Sequence, residues 1–138
     1  MDGTLVDTSS IVHHVLTKPK NFHAFHYGSI FCPPHDWVVD AVYADFRAGH
    51  TVIVVTARKD RWWELSTNWL TSNRVPYQEL HMRADDDDRW DRHVKEDILH
   101  ELMNRYTIVM AYDDNPAIIA LWQEYEIPVT HVPGWRDS

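Results

Sequence analysis

Asp113 and Asp114 stand side by side at the end of an apolar run, "YTIVMAY" (106–112), just ahead of Asn115-Pro116. Neighbouring carboxylates repel each other. A hard divalent cation that takes oxygen ligands, Mg2+ above all, relieves that repulsion. The same pair also reads as a polar turn leading into a helix cap. A second candidate lies in "VVTARKD", where Thr56 offers a hydroxyl at a strand end and Arg58 follows two residues on. Short neutral donors, including the backbone N–H groups around Ala57, and a forked cation suit a phosphate group. An ordinary strand-to-loop turn with a solvated arginine is the plainer alternative. Lys95, beside apolar Val94 in "HVKEDIL", can turn into an anionic pocket and offset its charge, or pair on the surface. The chain opens on Met1-Asp2-Gly3-Thr4, which reads as the end of a catalytic loop of the kind that follows a buried strand.

The elements that must hold these residues alternate. Asp36 can cap a helix whose Val39, Val42, Tyr43 and Phe46 share one side, with Gly49 to end it. "TVIVVTA" (51–57) predicts a strand covered on both faces. Asp60 opens a helix with Trp62, Leu65, Ser66 and Trp69 on one side, and Pro76 breaks it. "YQELHM" (77–82) is a weaker strand, and a charged loop follows. A helix over about 91–104 has Val94, Ile98 and Leu102 as its buried line. Residues 106–112 predict a third strand. Asn115 then caps a helix that has Pro116 at its first position and a stripe of Ile118, Leu121, Trp122 and Tyr125. "IPVTHV" (127–132) is a last short strand. This order predicts an α/β fold, a parallel sheet with helices on both faces in three Rossmann-like layers. Ligands in such sheets bind at the carboxyl ends of strands, which selects Asp2, Thr56 to Arg58, and Asp113-Asp114. Residues 7–35, with five His and three Pro, do not read as one long helix. They predict a small insertion of loops and short pieces, a cap or flap beside the opening motif.

At 138 residues the chain predicts one domain, residues 1–138. Its net charge of −8 and lack of a basic tail argue against a strong non-specific grip on nucleic acid, but leave room for a small phosphorylated end held through a metal. A single cysteine, Cys32, forms no internal disulfide and fits a reducing, cytoplasmic setting. No apolar run approaches a membrane span, and no signal-peptide pattern appears at the start. A phosphate-binding glycine loop of the kinase type is also absent from these 138 residues.

Taken in order, Asp-Gly-Thr, a strand ending in Thr, a helical Lys and a strand ending in Asp-Asp resemble the haloacid dehalogenase superfamily of phosphohydrolases. Within it, "GHTVIVVTAR", "LHMR", "DRHVKEDIL" and "MAYDDNPAIIALWQEYEIPV" look most like the 3′-phosphatase domain of phage-type polynucleotide kinases. The likeness covers about residues 36–133 and is loose over 7–35. It implies an Mg2+-dependent phosphomonoesterase that works through an aspartyl-phosphate, with a phosphorylated nucleic-acid end as substrate. By the resemblance, Asp2 is general acid and then base, with its main-chain carbonyl on the metal. Gly3, Thr4, Thr56, Ala57 and Arg58 line the phosphate, and Lys95 orients the nucleophile. Asp113 and Asp114 hold Mg2+. The family's first motif is Asp-x-Asp-Gly-Thr, and here Met1 supplies x and Asp2 the second acid. The nucleophile and its strand are not in these 138 residues, so the expectation is a sequence that begins at an internal Met of a longer reading frame. The basic residue that the polynucleotide phosphatases carry past this motif is also missing from "SSIVHHV", where His13 or His14 is the nearest substitute. Alternative readings are a phosphatase of free nucleotides or small phosphometabolites, and an inactive binding module. A kinase or ligase partner protein fits either form of the enzyme.

The remaining motifs have plainer readings. "HAFH" (23–26) has a zinc-like spacing but no evident partner pair, which predicts a structural or surface role. Nothing near Cys32 marks it as a nucleophile. Arg83 and Arg89 bracket the acidic run and are expected to pair with Asp85 to Asp88 on the surface. Trp62 and Trp63 predict one core ring and one boundary ring.

Overall fold

The computed structural model describes residues 1–16 and 20–135. After an opening turn over residues 1–6 come α1 (His13–Leu16), α2 (Phe22–Ser29), α3 (Asp36–Arg47), β1 (Ile53–Lys59) and a 3-10 turn (Asp60–Trp62). The chain continues through α4 (Trp63–Ser72), β2 (Glu79–Arg83), α5 (Asp91–Met103), β3 (Ala111–Asp113), α6 (Pro116–Glu124) and β4 (Val129–His131). The alternation of strand and helix is therefore present, and both strand pairs are parallel: β1 with β2, and β3 with β4. The single sheet is not. The four strands form two separate two-stranded sheets, and β1 and β3 face a shared cleft instead of a common neighbour.

Local sequence explains most element ends. Asn115 caps α6 through its side-chain oxygen, which accepts the Ala117 N–H, and Pro116 fills the first helical position, where a missing N–H costs nothing. Asn21 caps α2 in the same way through Ala24 N–H. α4 stops at Ser72, four residues before Pro76.

Several expected boundaries shift. In α3 the buried residues are Val38 and Val42, while Tyr43 and Phe46 are exposed, so the inward stripe is rotated by about one position. In α5 the inward line is Val94, Lys95, Leu99 and Leu102, with Ile98 only half-buried. β3 is confined to Ala111–Asp113, because residues 106–110 have no strand beside them to pair with. β1 alternates between buried and half-buried residues and is not sealed on both faces. The segment 7–35 folds as α1, α2 and turns, in keeping with a loop-rich insertion, and its residues 17–19 lie outside the described residues.

The hydrophobic core is split like the sheet. One cluster gathers Met1, Leu5, Val6, Val38, Val42, Val54, Trp69, Leu70 and Leu80 with neighbours from α1 and α2. The other joins Leu99, Ile118, Leu121, Trp122 and Ile127.

Candidate active site

The opening turn, the end of β1 and the end of β3 converge. Gly3 N–H donates to the Val6 carbonyl, and the amides of Leu5 and Val6 both donate to the Met1 carbonyl, which folds residues 1–6 into a tight loop. The Nδ1 of His35 lies 2.9 Å from the Thr4 carbonyl and ties the loop to the start of α3. Gly3 has φ of +77°, a conformation that favours glycine. A Cβ at this position would lie 2.0 Å from Asp114 Oδ2, so only glycine lets the loop lie against that carboxylate.

Asp2 and Arg58 form the strongest ion pair of the site. Arg58 Nε donates to Asp2 Oδ2 at 2.8 Å and Nη2 to Oδ1 at 2.5 Å, the two-pronged arrangement that matches guanidinium to carboxylate. The third nitrogen, Nη1, donates to Ser66 Oγ at 2.9 Å from α4. Burial alone would push the Asp2 carboxyl up, but the charge and hydrogen bonds of Arg58 outweigh it and hold the group at about 2. Thr56 is buried, and its hydroxyl accepts the Arg58 backbone N–H at 3.2 Å. The Ala57 carbonyl accepts a bond from Arg83 Nε.

Asp113 and Asp114 are both buried, at 5% and 4% exposure. Asp113 Oδ1 accepts the backbone N–H groups of Asp114 and Asn115, so this carboxylate shapes the strand-to-helix turn. Its Oδ2 accepts Trp122 Nε1–H and lies 3.7 Å from Lys95 Nζ. Asp114 Oδ1 accepts the Thr4 hydroxyl at 2.8 Å, which joins the opening turn to the end of β3. Burial pushes the Asp114 carboxyl above its usual range. This site is rich in anionic oxygen and buried, and Lys95 is the one side-chain cation within ion-pair distance of it among the described residues. Such a donor set fits Mg2+, which is held by one or two carboxylates and keeps several waters. Among the described residues no group of three or more His, Cys, Asp or Glu is assembled to hold a metal by itself.

The structure thus brings Asp2 and Arg58 together, and separately joins Thr4, Asp114, Asp113 and Lys95. Gly3 bridges the two sets, sitting next to Asp2 and against Asp114. Two residues join the site that the sequence reading does not assign to it. Ser66 lies on the inward side of its helix, and a fully buried hydroxyl in an apolar stripe is the signal of a specific partner. His26 is 8% exposed and packs its ring against Phe25 and Trp62, while Asp2 and Arg58 act on it electrostatically. Burial lowers its pKa to about 4, and its Nδ1 has no hydrogen-bond partner among the described residues. Arg83 corrects a surface assignment: it is buried, donates to the carbonyls of Ala57, Asp87 and Arg89, and pairs with Asp91. Arg89 pairs with Asp87 on the surface as expected, and Lys59 and Arg61 pair with Asp88 and Asp85 of the same run. Cys32 is buried, and burial pushes its thiol up, away from nucleophilic character.

Comparisons with known proteins bear on the fold and the family. Two solved structures, titled "Structure of the Pnkp1/Rnl/Hen1 RNA repair complex" and "Structure of Pnkp1/Rnl/Hen1 complex", each contain a similar chain. Both superpose with a TM-score of 0.82 at 22% identity, covering 96% of this chain and 40% and 44% of the other. The chain therefore shares their fold and spans less than half of their length. No curated protein matches it. A family model described as the polynucleotide kinase PNKP phosphatase domain matches residues 1–134, and the chain belongs to that family.

Proposed function

We propose that this domain is an Mg2+-dependent phosphomonoesterase of the haloacid dehalogenase type that removes 3′-phosphates from polynucleotide ends. The observation that carries this reading is the joining of Thr4, Asp113, Asp114 and Lys95 next to the Asp2–Arg58 pair at the carboxyl ends of β1 and β3. Phosphoryl transfer depends mainly on positioning and charge compensation, and these residues supply both. Asp113 and Asp114 would hold Mg2+, which offsets the charge of the phosphoryl oxygens when bound. The Thr56 hydroxyl and the Ala57 backbone amide are the neutral donors for that group. Arg58 is its forked cation.

Asp2 must carry a proton to act as general acid, and Arg58 keeps it ionised in this state. An incoming phosphate competes for the guanidinium. As Arg58 turns to the phosphate, the Asp2 carboxyl loses its stabilising partner, its pKa rises, and it can protonate the leaving alkoxide. Lys95 balances the negative charge around Asp113 and orients the attacking carboxylate. That carboxylate, two positions ahead of Asp2 in the family's motif, is not among these 138 residues, so activity requires it to be supplied. The similar chains are part of an RNA repair complex, which favours a partner protein that processes the same nucleic-acid end.

The test is hydrolysis of a 3′-phosphorylated oligonucleotide and of free 3′-nucleotides, with and without Mg2+, by the chain extended ahead of Met1 with an apolar segment ending in Asp. Metal-dependent release from the oligonucleotide, abolished by Asp113→Asn, is expected. Activity without metal would overturn the mechanism, and reaction of free nucleotides alone would replace the substrate.

A further inference from the structure

The paired tryptophans do not divide into the expected core ring and boundary ring. Trp63 is 48% exposed, and Trp62, half-buried, belongs to neither core cluster. Trp62 sits instead in a knot of rings built by α2. Its ring centroid lies 5.6 Å from that of His23, 5.3 Å from His26 and 5.4 Å from Tyr27, and the His23 and Tyr27 rings are 4.6 Å apart. A ring cluster that serves packing alone is sealed from water. This one is open: His23 is exposed, and Tyr27 is 53% exposed. Trp62 and Tyr27 also line a groove of about 460 Å³, together with Ile30, Leu65, Asn68 and Asn73. Flat apolar faces beside side-chain amides are the combination that takes a nucleobase.

The cluster adjoins the phosphate site. Ser66, which holds Arg58 Nη1, follows Trp62 by four residues in the run from the 3-10 turn into α4, a spacing that puts the two on one side of that run. His26 joins the two places: its ring packs on Trp62, and it lies close enough to Asp2 and Arg58 for both charges to act on it. Its Nδ1 is buried without a partner among the described residues, and an unmade hydrogen bond of that kind costs stability until a ligand supplies it. Charge points to the same kind of ligand. Around the end of β1, Lys59 pairs with Asp88, Arg61 with Asp85 and Arg89 with Asp87, so these cations are already neutralised by the chain's own acids. With a net charge of −8 as well, a run of backbone phosphates finds little here to bind. Stacking on an aromatic face needs no charge and accepts any base.

We propose that Trp62 and Tyr27 form a stacking site for the unpaired base of the nucleotide whose 3′-phosphate sits at Arg58, with the sugar passing His26 Nδ1. The inference rests on the phosphatase reading for the place of the phosphate. It names the ligand as an unpaired nucleoside 3′-phosphate, at a strand end or free.

The probe is a short single-stranded oligonucleotide with 2-aminopurine as its last base and a 3′-phosphate, titrated onto the chain with Mg2+. The fluorescent base loses emission when it stacks on an aromatic ring, and a fall of about threefold is expected at saturation. The same strand with an abasic last nucleotide is expected to bind about fivefold more weakly or worse, and so is the probe held in a blunt duplex. Trp62→Leu and Tyr27→Leu are each expected to weaken binding about fivefold or more and to restore emission. Tyr27 lies on the surface, so its replacement leaves the core intact and keeps the test open if Trp62→Leu folds poorly. Trp63→Leu, outside the groove, is expected to change neither readout. A loss of emission by free 2-aminopurine nucleoside 3′-phosphate supports the site and marks a free nucleotide as its ligand. Equal binding of the abasic end, or unchanged binding and emission in both ring variants, overturns the inference and leaves the phosphate site standing. Binding of the duplex as tightly as the single strand overturns it too. Binding of neither the base-bearing nor the abasic end overturns the phosphate reading and this inference with it.

Discussion

Separating Asp2 from Arg58 tests the electrostatic core of the site most directly. The Arg58 side chain is 1% exposed and that of Asp2 is 23% exposed, so the two ends of the pair are unequally wet. Asp2→Asn leaves a buried guanidinium without an anion, and breaking one side of a buried pair costs about 3–5 kcal/mol. Arg58→Met leaves a carboxylate that can still reach water or take up a proton, so its expected cost is smaller, about 2–3 kcal/mol. The net preference for the ionised carboxylate, after burial has offset part of the Arg58 attraction, follows from the displacement from 3.8 to about 2 and is equivalent to about 2 kcal/mol. Because the folded value is depressed, this stabilisation is present above about pH 4 and is lost as pH falls through about 2. Urea unfolding of the two single variants and the double variant at pH 7, repeated at pH 3, gives the coupling. We expect at least about 2 kcal/mol of non-additivity at pH 7 and less at pH 3. Additivity within about 0.5 kcal/mol at both pH values would refute the reasoning.

Other perturbations separate the remaining parts. Gly3→Ala must both adopt positive φ and collide with Asp114, and is expected to cost more than about 3 kcal/mol in thermal or urea unfolding. Gly49→Ala, with φ of +96° and nothing within 4 Å, is expected to cost only about 1 kcal/mol. Lys95→Met removes the cation beside Asp113, and a loss of about 1–3 kcal/mol is expected at pH 7. Asp114's raised folded pKa means that ionisation there opposes folding as pH rises through 3.8, so the Lys95→Met deficit is expected to shrink on acidification; a deficit independent of pH would count against this. Added Mg2+ is expected to raise the unfolding temperature of the native chain and not that of Asp113→Asn, since only a ligand of the folded state shifts the midpoint.

Local sequence carried the parts of this protein that depend on near neighbours. Asn115-Pro116 sets the start of α6 because a side-chain oxygen and a fixed φ act within one turn of chain. The β-branched run at 53–55 sets β1, and the strand-helix order sets the parallel direction of each pair. The candidates Asp2, Thr56, Arg58, Lys95, Asp113 and Asp114 were picked out by their places at strand ends and by the resemblance to a phosphatase family, and the structure pairs Asp2 with Arg58 and Asp113 with Lys95. What the chain could not reveal locally was which contacts close over distance. Arg83 looks like a surface arginine until β1 offers it the Ala57 carbonyl. His26 looks incidental until α2 folds over the Asp2–Arg58 pair. The run 106–112 has the composition of a strand, yet only Ala111–Asp113 becomes one, because a strand is completed by its neighbours and not by its own residues. The split of one expected sheet into two has the same cause: hydrogen-bond ladders and core packing are properties of pairs of segments, and only the tertiary structure decides which pairs exist.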